Sequence, residues 1–397
     1  MKDQYKKGAA FKAPAMHDWM RAIRTPTQYR VGSSTITVNS IMLAKLGIGV
    51  LLLLTFLVLM IPAADYDPHV NKRFSHLPEY NSTYPLSPPE YTTDGIKYKI
   101  AVITDLDHDS KSKDEKNTWL SFMRIGHLTI NSDRMRVKIE WEPESIKLKS
   151  AFSQGGRGME LSELVAFNGK LYTIDDRTGI VYEITQDHRV VPWVILPDGD
   201  GTASKGFKGE WMTVKEKALW IGGLGKEWTT ITGEVQNLNP QFVKSVGYHG
   251  DVMHVDWHEN YDALRKIGGF LPPGYMIHES GVWSDIYRKW FFLPRRASTE
   301  KYTEEADERR AANLLFSCDE HFKDIQMQRI GPFNPVRGFS SFKFVPGTSD
   351  AIIVALKSEE DKGKIASYIT VFTIEGDILL EETLLEGNFK FEGIEFV

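Results

Sequence analysis

The sequence predicts an all-β fold, a five-bladed β-propeller, preceded by a membrane-crossing helix near the N-terminus. Three observations predict it. A short motif recurs: an acidic or hydroxyl residue, a β-run, a turn, a second β-run and a polar loop. Its key residues, Glu163, Glu210, Glu279, Ser340 and Glu392, stand roughly 50 to 70 residues apart, the length of a propeller blade with long loops rather than of a helical repeat. The last copy runs out at Val397 without its second strand, while an unmatched strand, Tyr98 to Thr104, opens the β-region. Pairing the two would close a ring.

The chain has 397 residues, and its 48 Lys and Arg against 53 Asp and Glu leave a net charge of −5. That balance gives no electrostatic footprint for nucleic acid, so nucleic acid is set aside as a partner. Residues 1–45 carry Lys2, Lys6, Lys7, Lys12, Arg21, Arg24, Arg30 and Lys45 against Asp3 and Asp18, and read as a cytoplasmic tail. Residues 46–64 are uncharged and long enough to cross a bilayer as a helix. The basic flank lies on their N-terminal side, which makes them a type II signal-anchor with the bulk of the chain in the lumen. The rival reading is a signal peptide cleaved near Pro62-Ala63-Ala64, giving a secreted protein, but the basic region before it is far longer than such peptides carry. Residues 65–94, rich in Pro, Tyr, Ser and Asn, read as a lumenal stalk containing the glycosylation triplet Asn81-Ser82-Thr83. Residues 95–397 are the propeller. The single cysteine, Cys318, excludes an internal disulfide and is expected to be buried behind Leu314, Leu315 and Phe316. Short helices are expected near Asp114 to Gly126 and Glu304 to Phe316.

The clearest blade starts at Leu161, turns at Asn168-Gly169, the strongest short hairpin signal, and returns through Lys170 to Ile174 to the loop Asp175-Asp176-Arg177. The others follow suit. Trp211 to Val214 is answered by Ala218 to Ile221, Gly281 to Trp283 by Trp290 to Leu293, and Phe342 to Val345 by Ala351 to Leu356.

In a propeller the first strand of each blade lines the central channel, so a residue repeated at its start is brought to one point on the axis. Here that gives Glu163, Glu210, Glu279, Ser340 and Glu392, with Ser162 beside the first. Converging carboxylates repel unless a cation neutralises them. A wide ring of oxygen ligands without His or Cys suits calcium better than magnesium. The loops that follow the second strands, with the one after the opening strand, would bring further charge to the mouth: Asp105 and Asp107, Asp176 and Arg177, Lys226 with Glu227, Arg295 and Arg296, and Lys357. Trp228 or Trp283 could stack a base. A cation and basic side chains around a carboxylate that orients water is the equipment of phosphate cleavage. No glycine-rich phosphate loop of the Walker type is present.

Gly158-Met159-Glu160-Leu161-Ser162, Pro192 to Leu196, Asp198-Gly199-Asp200-Gly201, Gly222 to Trp228, Phe291 to Arg296 and Val354 to Glu360 resemble, in the same order, strings of the calcium-activated nucleotidase family, the soluble apyrases. The resemblance runs from about Tyr84 to Val397. It implies a five-bladed propeller with a central calcium on Ser162, Glu163, Glu210, Glu279, Ser340 and Glu392. It also implies hydrolysis of nucleoside di- and triphosphates in the endoplasmic reticulum and Golgi, supporting glycosylation and proteoglycan synthesis. Asp105, Asp107 and Arg295 are the expected catalytic residues. Asp176, Arg177, Lys226, Trp228, Trp283 and Arg296 are expected to bind substrate. A homodimer is an assembly the sequence allows. Two other functions compete: a calcium-centred lactonase-type hydrolase, for which His278 is the one candidate base, and a non-enzymatic lumenal scaffold.

Overall fold

The computed structural model describes residues 27–31, 33–38, 40–60, 78–387 and 389–397. They fall into two compact units, Met1–Pro78 and Glu79–Val397. In the first, Thr27–Val31 and Ser34–Val38 pair as a hairpin, and Ser40–Met60 is a helix of 21 residues. Side chains of that helix are described only from Lys45 to Phe56, and within the described residues no helix is long and apolar enough to cross a membrane. Most of the expected cytoplasmic tail and the stalk up to residue 77 lie outside the described residues.

The second unit is the five-bladed propeller. Blade one is Leu161–Phe167, Lys170–Asp175, Ile180–Ile184 and Val190–Ile195; blade two is Trp211–Lys215, Ala218–Gly222, Phe242–Gly247 and Val252–Asp256. Blade three is Gly281–Ser284, Lys289–Phe292, Leu314–Asp319 and Gln326–Arg329, and blade four is Arg337–Phe344, Ile352–Asp361, Lys364–Thr373 and Ile378–Leu385. Blade five takes its innermost strand, Lys390–Phe396, from the C-terminus and the rest, Gly95–Asp105, Trp119–Ile130 and Val137–Ser150, from the start of the unit. The ring closes where the sequence places the closure: Lys390 pairs with Asp105 and Phe396 with Ile100 in an antiparallel ladder. All five innermost strands adjoin their neighbours in blade order, the fifth meeting the first. Gly393 permits that last approach, because a Cβ there would sit 2.6 Å from the Leu164 nitrogen and 2.7 Å from Glu163 Cα.

Turn chemistry sets the hairpins. Asn168 and Gly169 both take positive φ, 51° and 71°, the geometry a two-residue connection of twisted strands requires. Between blades the core is continuous apolar packing: Ile100, Val102, Phe391 and Ile394 of blade five meet Val354, Leu356 and Val371 of blade four. An aromatic cluster of Trp211, Trp257, Trp290 and Phe292 joins blades two and three. Cys318 is buried in that cluster, and burial raises its thiol pKa.

Several local readings are corrected or extended. Asp114 to Gly126 is not a helix: Trp119–Ile130 alternates buried and part-buried residues as a strand of blade five. Only Glu304–Asp307 is helical in the second candidate, and its continuation, Leu314–Asp319, is a blade strand. A helix not read from the sequence, His258–Gly268, lies between blades two and three and buries Tyr261, Leu264 and Arg265. The compact unit also begins before residue 95. Asn81 accepts no strand pairing, but its backbone N–H donates to Asn168 Oδ1 at 2.7 Å, and Tyr80 packs on Phe167 and Tyr248.

Candidate active site

The innermost strands present two successive rungs at one end of the channel. The deeper rung is Ser162, Glu210, Glu279, Ser340 and Glu392. Two positions before each of these in sequence stand Glu160, Lys208, Ile277, Gly338 and Lys390, of which Lys208, Ile277 and Lys390 line the same cavity. Register explains how the deeper rung forms. Blades one, four and five each carry a register shift, between Leu161 and Glu163, Phe339 and Ser341, and Phe391 and Gly393, so that Ser162, Ser340 and Glu392 are the inserted residues. A bulge re-aims one side chain without displacing the strand. In blades two and three Glu210 and Glu279 stand just ahead of the first paired residue.

A cavity of about 600 Å³ opens above these rungs. It is lined by Glu210, Glu279 and Glu392, by Lys208, Lys390, Arg295 and Arg296, by Asp105 and Asp107, and on one side by Lys226, Trp228 and Tyr302. Ion pairs run through it. Lys208 Nζ pairs with Asp176 and, at 2.7 Å, with Glu210. Arg295 pairs with Glu279, with Glu360 at 2.6 Å and with Glu392 at 3.0 Å, joining three blades. Lys390 Nζ stands 2.8 Å from Asp105, 2.6 Å from Asp107, 3.2 Å from Glu360 and 3.5 Å from Glu392. Arg157 pairs with Glu160 and reaches Asp107 at 3.2 Å, and Arg177 approaches Glu160 at 3.9 Å.

Five cations thus face eight carboxylates in this network. The imbalance shows in the direction of the carboxylate pKa shifts. Burial, with Glu279 and Asp176 alongside, pushes Glu210 up to about 8 despite Lys208. Burial, reinforced by Asp105 and Glu279, holds Glu392 well above the carboxylate range despite Lys390 and Arg295. Glu160 is pushed up to about 7 by burial against the pull of Arg157. Lys208, Arg295 and Lys390 are also raised, well above their ordinary values: burial works against their charge, but the carboxylates around them outweigh it and hold them firmly protonated. The hydroxyls of Ser162 and Ser340 are buried and make no hydrogen bond among the described residues. Surplus buried carboxylate and orphaned hydroxyl oxygen, without His or Cys, fit a hard cation of high coordination, and among the described residues the carboxylates whose oxygens gather within 4.8 Å of one another are Asp105, Asp107 and Glu160.

Most of the expected site residues gather here: Asp105, Asp107, Glu210, Lys226, Trp228, Glu279, Arg295, Arg296 and Glu392 line the cavity, and Asp176 and Arg177 join its ion pairs. Two stand apart. Glu163 is one residue past the bulge, and its carboxylate is held by Ser341 Oγ at 2.8 Å and Lys343 at 3.2 Å below the deeper rung. Trp283 lines a separate cavity of about 580 Å³ with Val165, Met212 and Phe344, residues later in the same inner strands and therefore toward the opposite end of the channel. Its indole N–H donates to Asp285 at 2.8 Å. Lys357 is buried against Glu382 and Asn313, not at the mouth. His278 is fully buried against Tyr261 and Phe292, with its pKa pushed down to about 3 by burial and Arg265, so the base a lactonase would need does not reach the mouth. Sequence reasoning missed Lys208, Lys390, Arg157, Glu160 and Glu360. For the lysines a signal existed, since Lys208-Gly209-Glu210 and Lys390-Phe391-Glu392 repeat a Lys-x-Glu pattern.

Lysines and arginines set among buried carboxylates at one mouth of a closed propeller define a ligand-binding propeller equipped for a cation and an anion together. The model of the apyrase family matches residues 106–397. The chain is 56% identical over 326 residues to a mouse protein named soluble calcium-activated nucleotidase 1, covering 82% of this chain and 79% of that one. It is 50% identical over 307 residues to an apyrase of Caenorhabditis elegans, covering 76% and 85%, and 47% identical over 319 residues to an apyrase of Cimex lectularius, covering 80% and 87%. The chain belongs to the apyrase family.

Proposed function

We propose that this protein is a calcium-dependent nucleotidase that hydrolyses nucleoside diphosphates such as UDP and GDP, and also ADP or triphosphates, to lower phosphates in the lumen of the endoplasmic reticulum and Golgi. The observation that carries the reading is the pairing, in one cavity, of surplus carboxylate on the deeper rung with Lys208, Lys390, Arg295 and Lys226 above it. Family membership supplies the reaction class. Glu210, Glu279 and Glu392, with the Ser162 and Ser340 oxygens, would hold the calcium. Calcium in that position supplies positive charge toward the phosphate oxygens and the leaving group.

The chain's own groups divide the remaining work. Arg295 and the lysines neutralise and orient phosphate oxygens, the guanidinium taking two at once. Asp105 and Asp107 are the candidates for orienting the attacking water: Asp105 has its pKa raised by burial, whereas Lys390 and its neighbours hold Asp107 low against burial. Trp228, with the Lys205 ammonium 3.8 Å from its ring centre, and Tyr302 form the wall available to a base. Residues 46–64 serve as the type II anchor in this reading, and Asn81, exposed on the folded unit, as a glycan acceptor. The test is phosphate release from a nucleotide panel with and without calcium, on protein beginning at Asp65. Release that requires calcium is the expected result; no release from any nucleotide, or release indifferent to chelation, overturns the reading.

A further inference from the structure

Lys208 and Lys390 hold equivalent places, each two residues ahead of a deeper-rung glutamate. Lys208 Nζ divides itself between Asp176 and Glu210, and Lys390 Nζ between Asp105, Asp107, Glu360 and Glu392. Each ammonium therefore draws part of its neutralisation from a carboxylate that the proposed cation would also use. A side chain cannot give the same charge twice.

We propose that Lys208 and Lys390 are phosphate-binding residues, and that by sharing Glu210 and Glu392 with the cation they make cation and phosphate bind together rather than independently. The proposal rests on the nucleotidase reading above and adds the coupling to it. Where Glu210 and Glu392 turn to a cation, the two lysines lose part of their counter-charge. Lys390 is nearly buried, its side chain 7% exposed, and an ammonium walled by protein is costly without an anion. The cavity above is open and admits one. A phosphoryl group brings several anionic oxygens, and a compact ammonium meets them as a point charge. By linkage the coupling is reciprocal: phosphate tightens the cation by the factor by which the cation tightens phosphate.

The experiment measures binding, by calorimetry on the full chain in detergent, of calcium alone and of a methylene-bridged UDP analogue with and without calcium. The wild-type protein should bind the analogue at least about tenfold tighter with calcium present, within the usual range of coupling between sites. Lys208→Gln and Lys390→Gln should bind calcium alone as tightly as wild type or more so, having lost a competing cation. They should bind the analogue about tenfold more weakly and lose most of its calcium dependence. Lys208→Arg and Lys390→Arg, which keep the charge and are less prone to unfold, should retain the coupling. Variants that keep a cooperative melt yet lose calcium and analogue together would assign the lysines a structural role and overturn the proposal. So would Gln variants that keep the calcium-dependent tightening, with the nucleotidase reading left standing. An analogue that fails to bind the wild-type protein under either condition would remove that reading, and the proposal with it.

Discussion

Arg295 offers the sharpest test of the charge arrangement. Its guanidinium is bound to Glu279 of blade three, Glu360 of blade four and Glu392 of blade five, with its side chain 6% exposed. From sequence, Arg295→Lys is expected to cut turnover about tenfold, about 1.4 kcal/mol, with little change in melting temperature. The network adds a stability cost to that expectation, because lysine can satisfy one of these carboxylates where arginine spans three. Arg295→Met should cost more. Removing one partner of a buried pair destabilises by roughly 3–5 kcal/mol, since the abandoned charges stay buried. At roughly 2–4 °C per kcal/mol, the scale for domains of a few hundred residues, the melting temperature in chelator should fall by on the order of 10 °C. Calcium should return part of it, because the freed carboxylates are then available to the cation; at 100 times its dissociation constant a ligand stabilises by about 2.7 kcal/mol, and the variant should gain more than wild type does. Thermal melts of both proteins in chelator and in calcium read this directly. An equal deficit in the two conditions would refute the idea that Arg295 and the cation share carboxylates.

Three further outcomes follow from particular contacts. Deleting Phe391 to Val397 removes the closing ladder and three fully buried apolar side chains, Phe391, Ile394 and Phe396; at about 1.5–3 kcal/mol each this approaches the whole stability of a domain, so no cooperative melt is expected, and an unchanged melt would show that the ring does not depend on this strand. His278 has its pKa pushed down to about 3, so the unfolded chain holds the extra proton and stability falls as pH drops from about 6.5 toward 3, by up to about 1.4 kcal/mol per pH unit. Carboxylates with raised pKa act in the opposite sense, so the comparison of denaturant midpoints for wild type and His278→Phe between pH 7 and 5 isolates the histidine; parallel curves would refute its burial as a neutral ring. Trp228→Ala should raise KM for nucleotides several-fold while Trp283→Ala leaves KM unchanged, since Trp283 faces the other cavity; the reverse pattern would place the base elsewhere.

The architecture was legible because its signals are short-range and repeated. Asn168-Gly169 names its own turn, and the strand left over at Tyr98 matches the strand missing after Glu392, so closure follows from counting. The helix His258–Gly268 was hidden because its buried apolar residues, Tyr261 and Leu264, are few and the segment carries His258, Glu259, Asp262, Arg265 and Lys266. Asp114 to Gly126 misled for the opposite reason: the charges of its first turn resemble a helix start, while the alternation that decides strand begins only at Trp119. The turn between Trp211–Lys215 and Ala218–Gly222 carried no glycine to announce it, since Glu216 and Lys217 themselves adopt positive φ, 52° and 62°.

The deeper rung and the loops at the mouth were legible, the residues two positions ahead of that rung were not, and the limit has a physical origin. A repeat in sequence marks residues that are alike, and on the deeper rung they are alike, carboxylates and hydroxyls. The rung above it is Glu160, Lys208, Ile277, Gly338 and Lys390, five residues of four chemical kinds, so nothing in composition flags them as one structural layer. Only the fold does, by bringing Lys208, Ile277 and Lys390 to the lining of one cavity. A bulge explains why Glu163 was drawn into the ring. Counting residues without the bulge puts Glu163 on the repeat, whereas the register shift between Leu161 and Glu163 gives that place to Ser162 and leaves Glu163 to Ser341 and Lys343. The bulges at Ser162, Ser340 and Glu392 are therefore what allows three blades to give a polar side chain to the channel while Leu161, Phe339 and Phe391, on the near side of each shift, stay buried in the apolar packing between blades. A strand of strict alternation would have to choose between the two.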